Sequence, residues 1–159
     1  MLVDLTTAKL HLRIDGSAED AILPLWVGAA ESAAVQYLNR NVYADADALS
    51  AAVAGVADAL ATATATYDAA IAAAKLLGSQ VEQDLAAAAA LYELAKAATS
   101  ARMTRSGIVI NDSIRAAILL TLGHLYENRE DVVVSNAVAA SLPMGSQYLL
   151  QPYRVEMGI

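Results

Sequence analysis

The sequence predicts an all-α protein, a small helical bundle around one long core helix, and three features indicate this class. Residues 111–130 place Ile114, Ile118 and Leu122 at four-residue steps, so apolar side chains share one face of a helix. Asn111, Asp112 and Ser113 offer side-chain oxygens that can accept the unpaired amides of the first turn, as an N-cap does. A long tract earlier in the chain is rich in alanine, the residue that most favours helix.

The composition fits one folded domain with a closely packed core. The chain has 159 residues, 57% of them hydrophobic, but only 5% are aromatic, so small side chains must fill much of the interior. Cysteine is absent, which excludes disulfides and thiolate metal sites. The formal charge of −7 disfavours a surface that grips nucleic-acid phosphates. Asp58, Asp68 and Asp84 interrupt the apolar stretches, so we expect no membrane span.

Two helices are predicted before the alanine-rich tract. The first ends near Leu12, and Asp4, Thr6 and Thr7 are alternative caps for its start. Its apolar side would consist of Leu5, Leu10 and Leu12.

The second helix is predicted over residues 17–40, with Ser17 as its N-cap. Pro24 lies inside this range, where its ring would kink the helix. Glu31 would face solvent. Two adjacent apolar series would be buried: Ile22, Trp26, Ala29, Ala33 and Tyr37, flanked by Leu23, Val27, Ala30, Ala34 and Leu38.

Residues 44–103 form the alanine-rich, low-complexity tract, and we predict that they fold as an antiparallel helical hairpin. Apolar residues alternate four- and three-residue steps in both halves, as in a coiled-coil seam, and Gly78 marks the break between them. The predicted seam consists of Leu49, Val53, Val56, Leu60, Ala63 and Tyr67 in the first arm, and of Val81, Leu85, Ala88, Tyr92 and Ala95 in the second.

The core helix is expected to be nearly surrounded, because Leu119 and Leu120 widen its apolar face. Residues 107–110 before it form an apolar segment that could be extended. Residues 132–134 after it are β-branched and could form one strand. The chain then ends in a turn and a single helical turn that Pro152 stops.

No catalytic, metal or cofactor site is predicted. His124, Glu127 and Asp131 have a helical spacing that could in principle share a metal, but a partly exposed helical histidine is the simpler reading. No nucleophile motif or glycine-rich phosphate loop occurs. Glu127, Arg129 and Glu130 leave two alternatives, a solvated helix end or an ion-pair cluster between subunits. In the second case the planar guanidinium of Arg129 would hold a carboxylate.

Three separated patches carry a further signal when they are taken together. The first is AKLHLRID at residues 8–15, and the second is HLYENRE at residues 124–130. The third is LPMG at residues 142–145, followed by LLQPYR at residues 149–154. In content and order these patches resemble the head-tail connector, or adaptor, proteins of tailed bacteriophages and related prophages.

The resemblance implies a structural virion protein with no catalytic step. Members of that family are small helical proteins that assemble as a ring, usually dodecameric, beneath the portal protein. The ring extends the DNA channel toward the head-closure and tail proteins, and DNA would pass through it without specific binding. The chain would then lie in the neck of the virion, at the head-tail interface, after assembly in the host cytoplasm.

The resemblance also implies interface residues at the two later patches. The end of the core helix would fix the subunit or its contact with a neighbouring copy, and the C-terminal tail would contact the portal. These residues are Tyr126, Glu127, Asn128, Arg129, Glu130, Leu142, Pro143, Pro152, Tyr153 and Arg154.

The alanine-rich tract departs from the family, whose members usually connect the second helix to the core helix by a much shorter segment. We therefore expect a single connector domain from residues 1–43 and 104–159, with a hairpin insertion at 44–103 that packs on neighbouring hairpins or another virion protein. A head-closure or tail-terminator protein is an alternative, but it should contain more strand. A non-viral helical protein-binding module is another, which a stoichiometric bound ligand or metal would favour.

Overall fold

The computed structural model describes residues 1–128 and 144–155, and it is mostly helical, as predicted. The chain divides into two compact units: unit 1 is Met1–Asp45 with Ile108–Ile159, and unit 2 is Ala46–Gly107. The strand expected at residues 132–134 lies outside the described residues. The elements are α1 (Leu5–Leu12), α2 (Leu23–Leu38), β1 (Val42–Tyr43), α3 (Ala46–Ala54), α4 (Val56–Ala74), α5 (Gln80–Arg105), β2 (Ile108–Val109), α6 (Asp112–Glu127), α7 (Met144–Leu150) and a 3₁₀ turn (Gln151–Tyr153).

Helix α6 is the centre of unit 1, where α1, α2 and α7 all pack against it. Asn111 caps it as predicted, because its side chain accepts a hydrogen bond from the Ile114 amide at 2.9 Å. Ile118 and Leu122 are inaccessible to solvent. The helix is less enclosed than expected, however, since Leu120 is 41% exposed.

Helix α1 ends at Leu12, as predicted, and Asp4 is its N-cap. The Asp4 carboxylate accepts hydrogen bonds from the Thr7 amide at 2.8 Å and the Thr7 hydroxyl at 2.7 Å. The expected apolar side is partly wrong. Leu10 is 80% exposed, and the fully buried residue of this helix is Ala8.

Helix α2 begins later than predicted and contains no interior proline. Ile22, and not Ser17, is its N-cap, and Pro24 lies in the first turn. A proline nitrogen there has no intrahelical hydrogen bond to lose, so the expected kink has no cause. The helix ends at Asn39, which adopts the left-handed conformation with φ 55°.

Of the two apolar series predicted for α2, only the second, flanking series is fully buried. Trp26 and Tyr37 are half-buried at its edge, and Ala29 and Ala33 are exposed. Glu31 was wrongly expected to face solvent. Its carboxylate accepts hydrogen bonds from the amides of Leu2 and Val3, and so holds the start of the chain against α2. The buried residues are Leu23, Val27, Ala30, Ala34 and Leu38.

Strands β1 and β2 form a short parallel pair in unit 1. Val42 lies opposite Ile108, and Tyr43 lies opposite Val109. The extended segment expected at residues 107–110 is therefore present. Its partner was not predicted, since two residues are too few to show an alternating pattern.

Unit 2 is a helical hairpin in which α4 and α5 pack against each other, and α3 contacts both. The hairpin turns at residues 75–79, near the predicted tip at Gly78. Ser79 begins α5 with a capping box, in which its hydroxyl accepts from the Glu82 amide and the Glu82 carboxylate accepts from the Ser79 amide.

The seam of the hairpin was predicted correctly for α4 and wrongly for α5. Val56, Leu60, Ala63 and Tyr67 are buried or half-buried, as expected. The residues predicted for α5 face the other way: Val81, Leu85 and Tyr92 are 69%, 66% and 67% exposed. Helix α5 instead presents a side of mostly alanine toward α4. This side includes Ala86, Ala90, Leu94 and Ala97, which line a groove together with Ala63 and Tyr67.

One stretch of unit 2, Ala46–Ala74, is long and apolar enough to cross a membrane, with a mean hydropathy of 1.5 over 18 residues. This finding is contrary to the expectation from the charges in the stretch. Length and composition are its only support. The neighbouring α5 carries six charged residues, among them Glu93 and Lys96 near its middle. Charges at that depth are costly in lipid, so the hairpin as a whole lacks the composition of a membrane hairpin.

Candidate interaction site

The C-terminal tail lies along the end of α2. Arg40 donates a hydrogen bond from Nη1 to the Tyr153 carbonyl at 3.3 Å, and the Val155 amide donates to the Leu38 carbonyl at 3.1 Å. Pro152 stands in the first turn of the 3₁₀ helix, where its fixed φ suits the turn. Of the predicted interface residues, Tyr153 is thus held through its carbonyl by the Arg40 side chain, and Pro152 precedes it in the same turn.

Tyr37 joins the tail to α2 through both its ring and its hydroxyl. The guanidinium carbon of Arg154 lies 5.0 Å from the centre of the Tyr37 ring, a distance typical of a cation–π contact. The Tyr37 hydroxyl donates to Oε1 of Gln151. Neither Tyr37 nor Gln151 was predicted as a site residue. The available signal was a tyrosine in a predicted buried series, because a buried hydroxyl needs a hydrogen-bond partner.

A shallow cavity of about 200 Å³ opens beside these Tyr37 contacts. It is lined by Tyr37, Gln147, Tyr148 and Gln151. Tyr148 is 70% exposed. An exposed aromatic ring beside two amide side chains can pack on apolar surface and hydrogen-bond a peptide backbone, which is the chemistry of a protein interface. We call these four residues together with Arg154 the tail surface.

The other predicted patch is at the end of α6. The rings of Tyr126 and Trp26 meet edge to face, with centroids 5.5 Å apart and an interplanar angle of 88°. Asn128 caps the helix: its amide and its side chain both donate to the His124 carbonyl, at 3.0 Å and 2.9 Å. Glu127 is exposed between them. Arg129, Glu130, Leu142 and Pro143, the remaining predicted residues, lie outside the described part of the chain.

The structure therefore separates the predicted interface residues into two sets. Tyr126 meets Trp26 near the start of α2, whereas Arg154 meets Tyr37 near its end. The eleven residue steps between Trp26 and Tyr37 correspond to about 16 Å along a helix. The described interface residues therefore lie at two different places in unit 1.

Residues 1–128 and 144–155 contain no cluster of three or more histidine or acidic residues suited to a metal ion. Asp131, the third member of the set weighed in the sequence, lies outside this range. The distance between Nδ1 of His124 and the side-chain nitrogen Nδ2 of Asn128 is 3.2 Å.

Comparison with known proteins identifies a family. No curated protein and no solved structure is significantly similar to this chain. The family model described as "Phage gp6-like head-tail connector protein" matches residues 2–83. This range contains α1 to α4 and ends at the start of α5, and all the predicted interface residues follow it. Because the match covers more than half of the 159 residues, the chain belongs to the phage gp6-like head-tail connector family.

Proposed function

We propose that the protein is a non-enzymatic ring subunit of the phage neck. In this proposal about a dozen copies assemble beneath the portal and extend the DNA channel toward the head-closure and tail proteins. Family membership is the observation that carries the proposal. The head-closure and tail-terminator alternative gains nothing from the fold, since strand in residues 1–128 and 144–155 is limited to two segments of two residues.

The two separated surfaces of unit 1 support this role. A ring forms when one surface of each subunit binds a different surface of the next, and a further surface is needed for the portal. We assign the end of α6, at Tyr126, Glu127 and Asn128, to the contact with a neighbouring copy. We assign the tail surface to the portal. Both are anchored to α2, so each is presented on a rigid helix.

The net charge supports passage of DNA without binding. A chain of formal charge −7 repels phosphates over the range of a Debye length, so a channel lined by it would not retain DNA. The mechanism is then geometric, with no chemical step.

The first experiment is native mass spectrometry with negative-stain imaging, on the chain alone at high concentration and after addition of portal rings. Closed rings of about a dozen copies, free or bound to the portal, are the expected result. A chain that stays monomeric and is not recruited by portal rings would overturn the proposal.

A single substitution tests the tail surface. Tyr148→Ala should weaken recruitment to the portal by about tenfold or more, the usual effect of removing an aromatic anchor. Because Tyr148 is 70% exposed, the fold should be unaffected. Arg115→Ala, on an exposed part of α6, is the matched control and should bind as the wild type does. Equal affinity of both variants would remove the tail surface from the portal contact.

A further inference from the structure

Helix α5 has a second apolar side, directly opposite the one that packs on α4. Its residues follow the four- and three-residue steps of a coiled-coil seam, yet the largest of them are about two-thirds exposed. We call this side the outer stripe. It consists of Val81, Leu85, Ala88, Tyr92 and Ala95.

The packing inside the hairpin follows a rule of size. Helix α4 contributes large side chains to the seam, such as Leu60 and Tyr67, and α5 contributes mostly alanine, such as Ala86 and Ala90. Large residues that face a small-residue surface let two helices approach closely. The same rule predicts what could cover the outer stripe, namely a helix side made of small residues.

Helix α4 has such a side, about 180° around the helix from its seam. It carries Asp58, Ala61, Ala65 and Ala72, all of them exposed and again at three-, four- and seven-residue steps. Each hairpin therefore presents large apolar residues on one edge, from α5, and alanine on the other edge, from α4.

We propose that the outer stripe of α5 packs on the alanine side of α4 in the next copy of the chain. This inference rests on the proposed ring. In a ring of about a dozen copies, successive subunits differ by a rotation of about 30°, so neighbouring hairpins run nearly parallel. The α5 helix of one copy then meets the α4 helix of the next in antiparallel orientation, as it does within a hairpin.

The levels of the residues agree with this pairing. Tyr67 and Ala70 of α4 line the same groove as Ala86, Ala89 and Ala90 of α5. A neighbouring copy related by rotation presents its α4 at the same levels. Leu85 then faces Ala72 of that copy, and Tyr92 faces Ala65, so large residues again meet alanine.

Charge complementarity favours the same partner. Lys96 borders the outer stripe, and Asp58 of the next copy lies within about one helical turn of its level. At the tip, Lys75 of the next copy comes to the level of Asp84 on the other border. Pairing of two outer stripes with each other would instead give a two-fold contact, which cannot propagate around a ring.

Cross-linking of paired cysteines tests the contact, and the absence of native cysteine provides a clean background. The variant carries Tyr92→Cys and Ala65→Cys in the full-length chain. Within one hairpin these positions face away from each other on opposite edges, so a short bismaleimide cannot join them. We expect a ladder of covalent multimers on denaturing gels, up to the number of copies in the ring.

The matched control carries Tyr92→Cys and Thr66→Cys. Thr66 is one residue away but lies on the side of α4 that lines the groove, so this pair should give no ladder. Rings that form in the electron microscope without a ladder from the Tyr92/Ala65 pair would overturn this inference alone. Dimers from Tyr92→Cys by itself would also overturn it, in favour of pairing between two outer stripes. Absence of rings, even with portal present, would overturn the proposed function and this contact together.

Discussion

The Glu31 carboxylate is the residue-scale contact that ties the start of the chain to the core. Two backbone amides, of Leu2 and Val3, donate to one of its oxygens. Hydrogen bonds to a charged acceptor contribute more than neutral ones, so Glu31→Ala should lower the free energy of unfolding by about 1–3 kcal/mol. Urea denaturation measures the change. Ser32→Ala, exposed on the same helix, is the control and should stay within about 0.5 kcal/mol of wild type.

A cap at the start of α1 makes stability depend on pH. Hydrogen bonds from the Thr7 amide, and then from its hydroxyl, hold the pKa of Asp4 below its ordinary value of 3.8. The ionised form is therefore favoured in the folded state. The contribution of ionised Asp4 to the free energy of unfolding is complete above its pKa in the unfolded chain. It disappears as the pH falls through the lower pKa of the folded state.

Comparison with Asp4→Asn isolates that contribution, because asparagine still caps a helix but does not titrate. The wild type should be the more stable of the two at neutral pH, and the difference should shrink as the pH falls below about 4. Urea titrations across this range provide the test. A difference that stays constant with pH would contradict the assignment.

Residue-scale features were predictable where a short local rule governs them. Asn111 and Asp4 were each among three candidate caps, because capping depends on residues only three apart. Glu31 was missed because its partners are 28 and 29 residues away. Leu10 was misplaced because α1 is too short to establish which of its sides is apolar.

At the scale of elements, α6 offers two leucines that differ in burial alone. Leu122 is inaccessible to solvent, whereas Leu120 is 41% exposed. Leu122→Ala should therefore cost about 2–5 kcal/mol by leaving a cavity in the core, and Leu120→Ala clearly less. Equilibrium denaturation of the two variants measures the difference. Equal losses would mean that α6 is enclosed on both sides.

The wrong side of α5 was predicted to pack on α4, and the reason is that the prediction used the sequence of one helix at a time. Its larger apolar residues keep coiled-coil spacing, and this spacing predicts that they form the seam. The seam of a close-packed pair depends on both helices, however, and α4 had already supplied large residues such as Tyr67. The positions of α5 that face these large residues suit alanine. Which side of α5 packs on α4 therefore depends on the side-chain sizes of both helices, and the sequence of one helix alone does not show it.

The start of α2 was decided by competition between two local signals. Ser17 is a good cap, but a helix that began there would place Pro24 in its interior at a cost of about 3 kcal/mol. Beginning at Leu23 moves the proline into the first turn and removes that cost. The rule against interior proline outweighed the preference for a serine cap.

At the scale of the whole molecule, the described core of unit 1 is built from residues of unit 1 itself. Its cluster of buried residues is drawn from α1, α2, α6, α7 and the first residues of the chain. Replacing residues 46–107 by a short glycine-serine linker should leave unit 1 folded, with a midpoint of thermal unfolding within a few degrees of the full chain. Circular dichroism measures it. Loss of cooperative unfolding would show that the hairpin is required for the core.

The candidate site was predictable only in part at this scale. The tail and the end of α6 were identified from a family resemblance, and the structure describes six of those ten residues. Their partners could not be derived from the sequence, because Tyr37 and Gln151 are 114 residues apart and no local pattern links them. The family match itself ends at residue 83, before either patch.

The parallel pair β1–β2 has a consequence for the order of folding. Val42 and Ile108 flank the whole hairpin, so in an unfolded chain their meeting closes a loop of about 65 residues. A hairpin that has already formed, with α3 in contact with α5, shortens this loop to a few residues. Each halving of the loop length lowers the free-energy cost of closing the loop by about 0.6 kcal/mol, or about 2 kcal/mol in total.

The hairpin should therefore fold first. Ala90→Gly, which weakens helix α5 in unit 2, should then slow the refolding of unit 1 in stopped-flow experiments.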